Sequence, residues 1–389
     1  MPSETVVILG IPIDSLSMEE AIEGVFAMVE AWKSDRRARQ IATVNVNFIV
    51  NAFKRQSKVG RGTELLDILR RADIVTADGM PVIWASRLLG FPLKERVTGA
   101  DLVPRLAEEA ARRGKSLYFL GGGGNTAKEA AAVLKERCPG LVIAGTDAPR
   151  VDLEKGCGIR KEEADRSIIE RINRSRPDIL LIAMGNPKQE IWFHRNRERL
   201  KVPVSIGVGG TFAFISGRVL RAPGWVQDVG LEWLYRLFQE PGRLWKRYLA
   251  DFFQFVPALC PLILYCLCLK ARNRIPTRGI SPMRIQREDP GRTLVVLPNP
   301  LTMRDLKFLK EKFLNEFMDG SSTFIIDFRM VRRFDPRIVC FLMDLMRKQS
   351  EEGKLFIKNP GPPLLRFFKL NRTLDLFRKL EVGDSRLLL

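Results

Sequence analysis

The chain has 389 residues, with 64 Lys and Arg against 45 Asp and Glu, for a formal charge of +19. At about 100–200 residues per domain, that length implies two or three domains. A hydrophobic content of 46% with 28% charged residues excludes a disordered tail or a low-complexity fibre.

In chain order, Thr5–Gly10 is a short apolar strand. Met18–Trp32 has helical spacing, with Ser15 or Ser17 as its cap. Ile41–Asn45 is a strand leading into a helix that ends near Lys54, and Ile74–Ala77 is a strand leading into a helix at Pro81–Leu89. Ser116–Leu120 runs into the glycines 121–124 and an Ala-rich helix over Thr126–Glu136. Leu141–Ala144, Asp178–Met184 and Val204–Val208 are further strands, the first followed by a helix at Lys161–Ser175. Apolar strands alternating with helices predict an α/β layer with a largely parallel sheet.

The pattern then changes. Gly224–Leu249 is helical and interleaves Trp and Tyr with Arg236, Arg243, Lys246 and Arg247. Phe252–Leu269 carries no formal charge but contains Gln254, Pro257 and Pro261, which count against an unbroken spanning helix. Insertion into one leaflet or docking at the interface fits it better, with an apolar core hairpin as the alternative. Lys270–Arg292 is basic and linker-like. From residue 293 a second α/β unit follows. Its strands are at Thr293–Leu297, Thr323–Phe328 and Lys354–Ile357, and its helices at Met303–Phe317, Ile338–Ser350, Leu364–Lys369 and Thr373–Leu380.

The six cysteines (Cys138, Cys157, Cys260, Cys266, Cys268 and Cys340) form no CxxC pair. This excludes a disulfide scaffold and a zinc ribbon and fits a reducing compartment. The N-terminus has no basic stretch before its apolar run, so it reads as a strand and not as a signal peptide. The high pI implies an anionic partner, nucleic acid or an anionic membrane, and no nucleic-acid motif accompanies the charge.

Candidate chemistry sits at strand ends, where open α/β sheets bind ligands. Asp78, at the end of Ile74–Ala77 and before Gly79, suits either a general base or a helix N-cap ahead of Pro81. The run Gly121–Gly124 allows backbone approach to a phosphate or makes a tight turn; it is neither a P-loop nor a dinucleotide fingerprint. The segment Gly185-Asn186-Pro187-Lys188-Gln189-Glu190 is a polar turn in which Gln189 can donate to and accept from a sugar or base edge. Arg96 is either a diphosphate partner or a solvated loop arginine. The single histidine, His194, excludes His-based triads and His-rich metal sites. The chain contains no Asp-X-Asp, so a departing diphosphate would be stabilised by Arg, Lys and backbone dipoles.

The segments at 43–50 (TVNVNFIV), 72–90, 95–102 (ERVTGADL), 184–190 (MGNPKQE), 207–223 and 231–248 (LEWLYRLFQEPGRLWKRY) together resemble the WecG/TagA/CpsF bacterial glycosyltransferases. The resemblance implies a Rossmann-like largely parallel sheet with a helical C-terminal appendage. It also implies an inverting, cofactor-free and metal-independent transfer in cell-surface polysaccharide synthesis. The sugar, N-acetylmannosamine or its uronate, would pass from a UDP-sugar to a polyprenyl-diphosphate-linked sugar at the cytoplasmic face of the bacterial inner membrane. By the same resemblance Asp78 is the catalytic base. Thr43, Asn45, Gly79, Arg96, Gly121, Gly122, Gly185, Pro187, Lys188, Gln189 and Gly209 are expected to bind substrate. Arg236, Arg243 and Arg247 of the appendage are expected to meet the diphosphate at the membrane.

Two departures stand out. The family's usual Phe-Asp-Phe is Phe212-Ala213-Phe214 here, and the turn at 145–147 lacks the usual Gly-Tyr-Phe. The missing acid motivates an alternative, a catalytically impaired sugar-nucleotide sensor or scaffold. The C-terminal unit resembles a STAS domain, the anti-sigma-factor-antagonist fold, through the strand ending at Asp327, Arg333-Phe334-Asp335 and the segment 352–355. Pro336 and Arg337 stand where that family has its phosphorylatable serine, which implies docking of a protein partner and not a phosphorylation switch. The expected organisation is a transferase core at 1–223, an appendage with an apolar membrane-contacting segment at 224–269, a basic linker at 270–292 and a smaller STAS-like α/β domain at 293–389.

Overall fold

The computed structural model describes residues 4–54, 62–149, 159–273, 281–289, 292–317, 323–348 and 354–374. The chain opens with strands β1 (Glu4–Ile8) and β2 (Ile11–Ser15), which form a two-stranded sheet. Next come α1 (Met18–Asp35), β3 (Arg39–Val44), α2 (Val46–Phe53), α3 (Gly62–Arg71), β4 (Ile74–Ala77), α4 (Met80–Leu89) and α5 (Gly99–Arg112). They are followed by β5 (Ser116–Gly121), α6 (Thr126–Arg137), β6 (Val142–Asp147), α7 (Ile159–Ser175), β7 (Ile179–Ala183), α8 (Lys188–Asn196), β8 (Val204–Gly207) and α9 (Thr211–Ile215). Then come α10 (Gly224–Asp228), α11 (Glu232–Gln239) and α12 (Pro241–Asn273). The last elements are β9 (Arg284–Asp289), β10 (Arg292–Val296), α13 (Met303–Phe317), β11 (Thr323–Asp327), α14 (Ile338–Lys348), β12 (Lys354–Lys358) and α15 (Pro362–Leu370).

Two compact units result. One comprises 1–3, 13–84 and 93–255; the other comprises 4–12, 85–92 and 256–389. The first holds a six-stranded sheet in the order β4-β3-β8-β7-β5-β6, with every neighbouring pair parallel. All but the edge strand β6, which is partly exposed, are buried on both faces, as continuous apolar runs in parallel sheets are. Leu117, Phe119, Ile179 and Leu181 face one core with α1, α5 and α6. Tyr118, Leu120, Leu180 and Ile182 face the other with α7 and α8. This is the predicted α/β layer, with helices on both sides of the sheet.

Local signals explain most boundaries. Ser17 caps α1, accepting from the Glu20 N–H while Glu20 accepts from the Ser17 N–H, a complete capping box. Ser15 is not the cap: its hydroxyl accepts from the Lys94 N–H at 3.1 Å. The predicted strand Thr5–Gly10 ends two residues early, and β2 follows it.

The second unit is a four-stranded sheet in the order β12-β11-β10-β9, in which only β9 runs antiparallel. Strand β1 packs with α14 in this unit, and the Asn371 amide donates to the Val7 carbonyl. The 270–292 stretch, linker-like in sequence, carries the last turn of α12 and strand β9. The predicted helix at Thr373–Leu380 lies largely outside the described residues. Pro257 and Pro261 do not break the helix expected to fail there: α12 runs unbroken for 33 residues.

Candidate active site

The sheet order places the carboxyl ends of β4, β3, β8, β7 and β5 side by side. Val44 lies opposite Ala77, and Ala42 opposite Gly207, so Asn45, Asp78 and Val208 follow adjacent strand ends. The Asp78 N–H donates to the Val44 carbonyl at 2.8 Å. Gly79, at φ +127°, then turns the chain away, a conformation that favours glycine.

Asn45 does two jobs. Its side-chain oxygen caps α2, accepting from the Asn47 and Phe48 N–H groups at 3.1 and 3.4 Å. The amide nitrogen remains, and it donates to the Asp78 carboxylate. An aspartate at this position would keep the cap and repel Asp78. The Asp78 carboxyl is pushed up to about 6, first by burial and then by the Glu232 charge. Arg96, Arg236 and the Asn45 hydrogen bond oppose that shift. A carboxylate held near neutrality at a strand end is suited to accept a proton.

Beside Asp78 lies a four-membered ion cluster. Arg96 pairs with Glu232 at 2.8 Å and Asp101 at 3.6 Å; Arg221 pairs with Asp101 at 2.6 Å and Glu232 at 3.6 Å. The Arg96 and Glu232 side chains retain only 17% and 16% of their exposure. Arg96 is therefore engaged with two carboxylates, one of them on appendage helix α11. Arg236 lies near enough to act on Asp78, and its guanidinium stacks 4.9 Å from the Phe214 ring. Arg247 is exposed and lies over Tyr248, and the Arg243 side chain lies outside the described residues.

The turn after β7 carries Gly185, Pro187 and Lys188, the latter two partly exposed, and Gln189 begins the buried part of α8. Gln189 is 1% exposed. Its oxygen accepts from the Gly209 N–H at 3.0 Å, and its amide nitrogen donates to Glu190 at 2.7 Å. Thr43, also buried, donates to the Gly207 carbonyl at 2.9 Å. A Cβ on Gly121 would come within 2.6 Å of the Ala183 carbonyl oxygen, and one on Gly122 within 3.1 Å of Phe212. Both glycines thus permit close packing. Gly123, Gly124, Gly185, Gly209 and Gly210 would meet nothing within 4 Å, so they form a bare rim at the ends of β5, β7 and β8.

Glu232, Asp101 and Arg221 enter the site unannounced by the sequence. Asp101 and Glu232 lie within matched segments, but attention to excess positive charge passes over acids. Among the described residues, no group of three His, Cys, Asp or Glu is placed to hold a metal ion. His194 is exposed.

The appendage exposes large apolar side chains, including Trp225 at 69%, Phe238 at 77% and Phe253 at 67%. Along α12, Phe255, Leu259, Leu262, Cys266 and Leu269 are buried at alternating four- and three-residue spacing, while Leu264 and Leu267 are exposed. Leu244–Asn273 is long and apolar enough to cross a membrane, and 28% of its most apolar window is buried.

Residues 6–264 match the Glycosyl transferase WecG/TagA/CpsF family. A Bacillus spizizenii protein is 34% identical over 183 residues, covering 47% of this chain and 66% of that protein, just under two thirds. A Bacillus subtilis protein is 32% identical over 211 residues, covering 54% and 75%. A Staphylococcus aureus protein is 27% identical over 240 residues, covering 62% and 85%. All three are named N-acetylglucosaminyldiphosphoundecaprenol N-acetyl-beta-D-mannosaminyltransferase. Among solved structures, the murine Slc26a9 anion transporter aligns at 17% identity over 46% of this chain and 32% of that one. Its TM-score of 0.19 is too low to bear on fold or function.

Proposed function

The chain belongs to the WecG/TagA/CpsF glycosyltransferase family, and on that footing we propose that it transfers an N-acetylhexosamine from a UDP-sugar to a polyprenyl-diphosphate-linked sugar. N-acetylmannosamine or its uronate is the favoured sugar, and lipid-linked N-acetylglucosamine the favoured acceptor, as the relatives' names suggest. The observation that carries the reading is Asp78, held near neutrality at a strand end between Asn45 and the Arg96–Glu232 pair.

The proposed step is a single displacement. The acceptor hydroxyl oxygen attacks the anomeric carbon as its proton passes to Asp78. The bond from that carbon to the diphosphate oxygen breaks, and the electron pair leaves with UDP. Arg236 offsets the charge growing on the diphosphate. Arg243 and Arg247 are proposed to extend that basic surface, and Lys188 with the open glycines to contact the donor. No step draws on a bound metal or organic cofactor, a reading supported by the lack of Asp-X-Asp.

The exposed aromatics of the appendage and the buried stripe along α12 support docking at the cytoplasmic membrane face over a free-standing span. Phe252→Glu with Phe253→Glu is expected to weaken binding to anionic liposomes at least about tenfold while leaving UDP affinity unchanged. Co-sedimentation and calorimetry check this. The parallel β10-β11-β12 arrangement supports a STAS-like C-terminal module that docks a protein partner. Arg337 turns back onto Asp335 at 2.9 Å, where the STAS resemblance would put a phosphorylatable serine.

A donor screen against lipid-linked N-acetylglucosamine, run in parallel with Mn²⁺ and in excess EDTA and read by mass spectrometry, tests the reading. A hexosamine added to the lipid supports it, and a strict Mn²⁺ requirement counts against it. Ala213 favours the second reading, a sugar-nucleotide sensor. UDP binding without turnover across the screen would select the sensor.

A further inference from the structure

The proposed mechanism leaves one buried ionisable group unused. Glu190 is 1% exposed and makes no ion pair with any of the described residues, and burial pushes its carboxyl up to about 7. Such a group is costly unless its hydrogen bonds are worth more elsewhere. One oxygen accepts from the Gln189 amide at 2.7 Å. The other accepts from the Asn186 amide at 3.3 Å, and Asn186 in turn accepts from Asn51 at 2.7 Å.

A side-chain amide can flip end for end, exchanging donor and acceptor. A carboxylate in its ionised form only accepts, and so removes that freedom. With Glu190 holding the nitrogen, the Gln189 oxygen is directed at the Gly209 N–H, 3.0 Å away. The pair can reach the strand only because position 207 lacks a side chain. A Cβ there would lie 2.5 Å from the Gln189 nitrogen and 2.7 Å from a Glu190 oxygen. Gly209 and Gly210, which the pair supports from below, are open on their outer side.

We propose that Glu190 is a positioning residue: it fixes the Gln189 amide, which pins Gly209 and sets the glycine surface on which the donor nucleotide lies. This rests on the transferase reading for the identity of the ligand, but not for the geometry. It makes Gln189 a support beneath the cleft and not a group that touches substrate.

The test is a directional swap. Gln189→Glu sets two acceptors against each other and is expected to raise the Kd for UDP about tenfold, with the donor KM rising and kcat falling less than about threefold. Glu190→Gln keeps an acceptor for Gln189 but places a second donor against Asn186, for a change of about threefold. The double variant Q189E/E190Q reverses the hydrogen bond and restores both contacts, so UDP affinity returns to within about threefold of the parent.

Hydrogen exchange of the segment 207–212 in the unliganded full chain gives a second readout. Its protection is lost in Q189E and recovered in the swap. Unchanged exchange and UDP affinity in Q189E overturn the proposal. So does a swap that recovers exchange protection but not UDP affinity, because Gln189 then touches the ligand itself. A parent chain that binds no UDP, with the exchange pattern as expected, refutes the transferase reading and leaves the positioning role standing.

Discussion

Asp78→Asn is expected to lower the rate of sugar transfer about a thousandfold while changing UDP affinity no more than about twofold. Asparagine keeps the size and the contact with Asn45 but cannot take the acceptor's proton. In the parent enzyme, log(kcat/KM) should rise with pH at unit slope and level off near pH 6, where the Asp78 carboxyl titrates. The variant should lose that limb.

Stability should move the other way. The folded state holds the Asp78 proton to higher pH than the unfolded chain does. The stability this group contributes is therefore present below its ordinary range and lost as pH rises through about 6. Asp78→Asn should therefore melt no lower than the parent at pH 8. A stabilised but inactive variant is the mark of a carboxylate kept for chemistry and not for the fold.

Arg96→Gln carries the second large effect. It leaves Glu232 and Asp101 with Arg221 as their remaining ion-pair partner among the described residues. Removing one member of a mostly buried ion pair costs about 3 kcal/mol, which urea unfolding would read as a lower midpoint. The same change removes a charge that favours ionised Asp78, so the acid limb of the rate profile shifts to higher pH. Glu232→Gln removes a charge that opposes ionisation, and its limb shifts to lower pH. Opposite shifts from two partners of one ion pair would tie the appendage helix α11 to Asp78. Shifts of the same sign would separate them.

Much of this was legible beforehand. Apolar strands such as Ile179–Ala183, buried on both faces, announce a parallel sheet, and its carboxyl ends locate the site. Family motifs single out Asp78 and Asn45 as candidates, and the geometry gives a physical reason for an asparagine at position 45. Helix α5 was not anticipated, although Thr98 caps it and Leu102, Val103, Leu106 and Ala107 form its buried face. Pro104 sits inside it, where it removes a backbone donor without ending the helix.

The same lesson holds for Pro257 and Pro261, which α12 absorbs. Sequence patterns also miss side chains that act on each other across the fold. Arg96 and Glu232 are 136 positions apart, and no spacing rule joins them. Glu190 was visible in its motif, but burial alone distinguishes a load-carrying carboxylate from a polar turn residue.

One displacement at the anomeric carbon, assisted by one carboxylate, inverts that carbon. Proton NMR of the transferred sugar on the lipid product measures its anomeric configuration directly. Inversion relative to the donor is the predicted result. Retention would require a covalent sugar–enzyme intermediate or a second group on the opposite face, and would contradict the role given to Asp78.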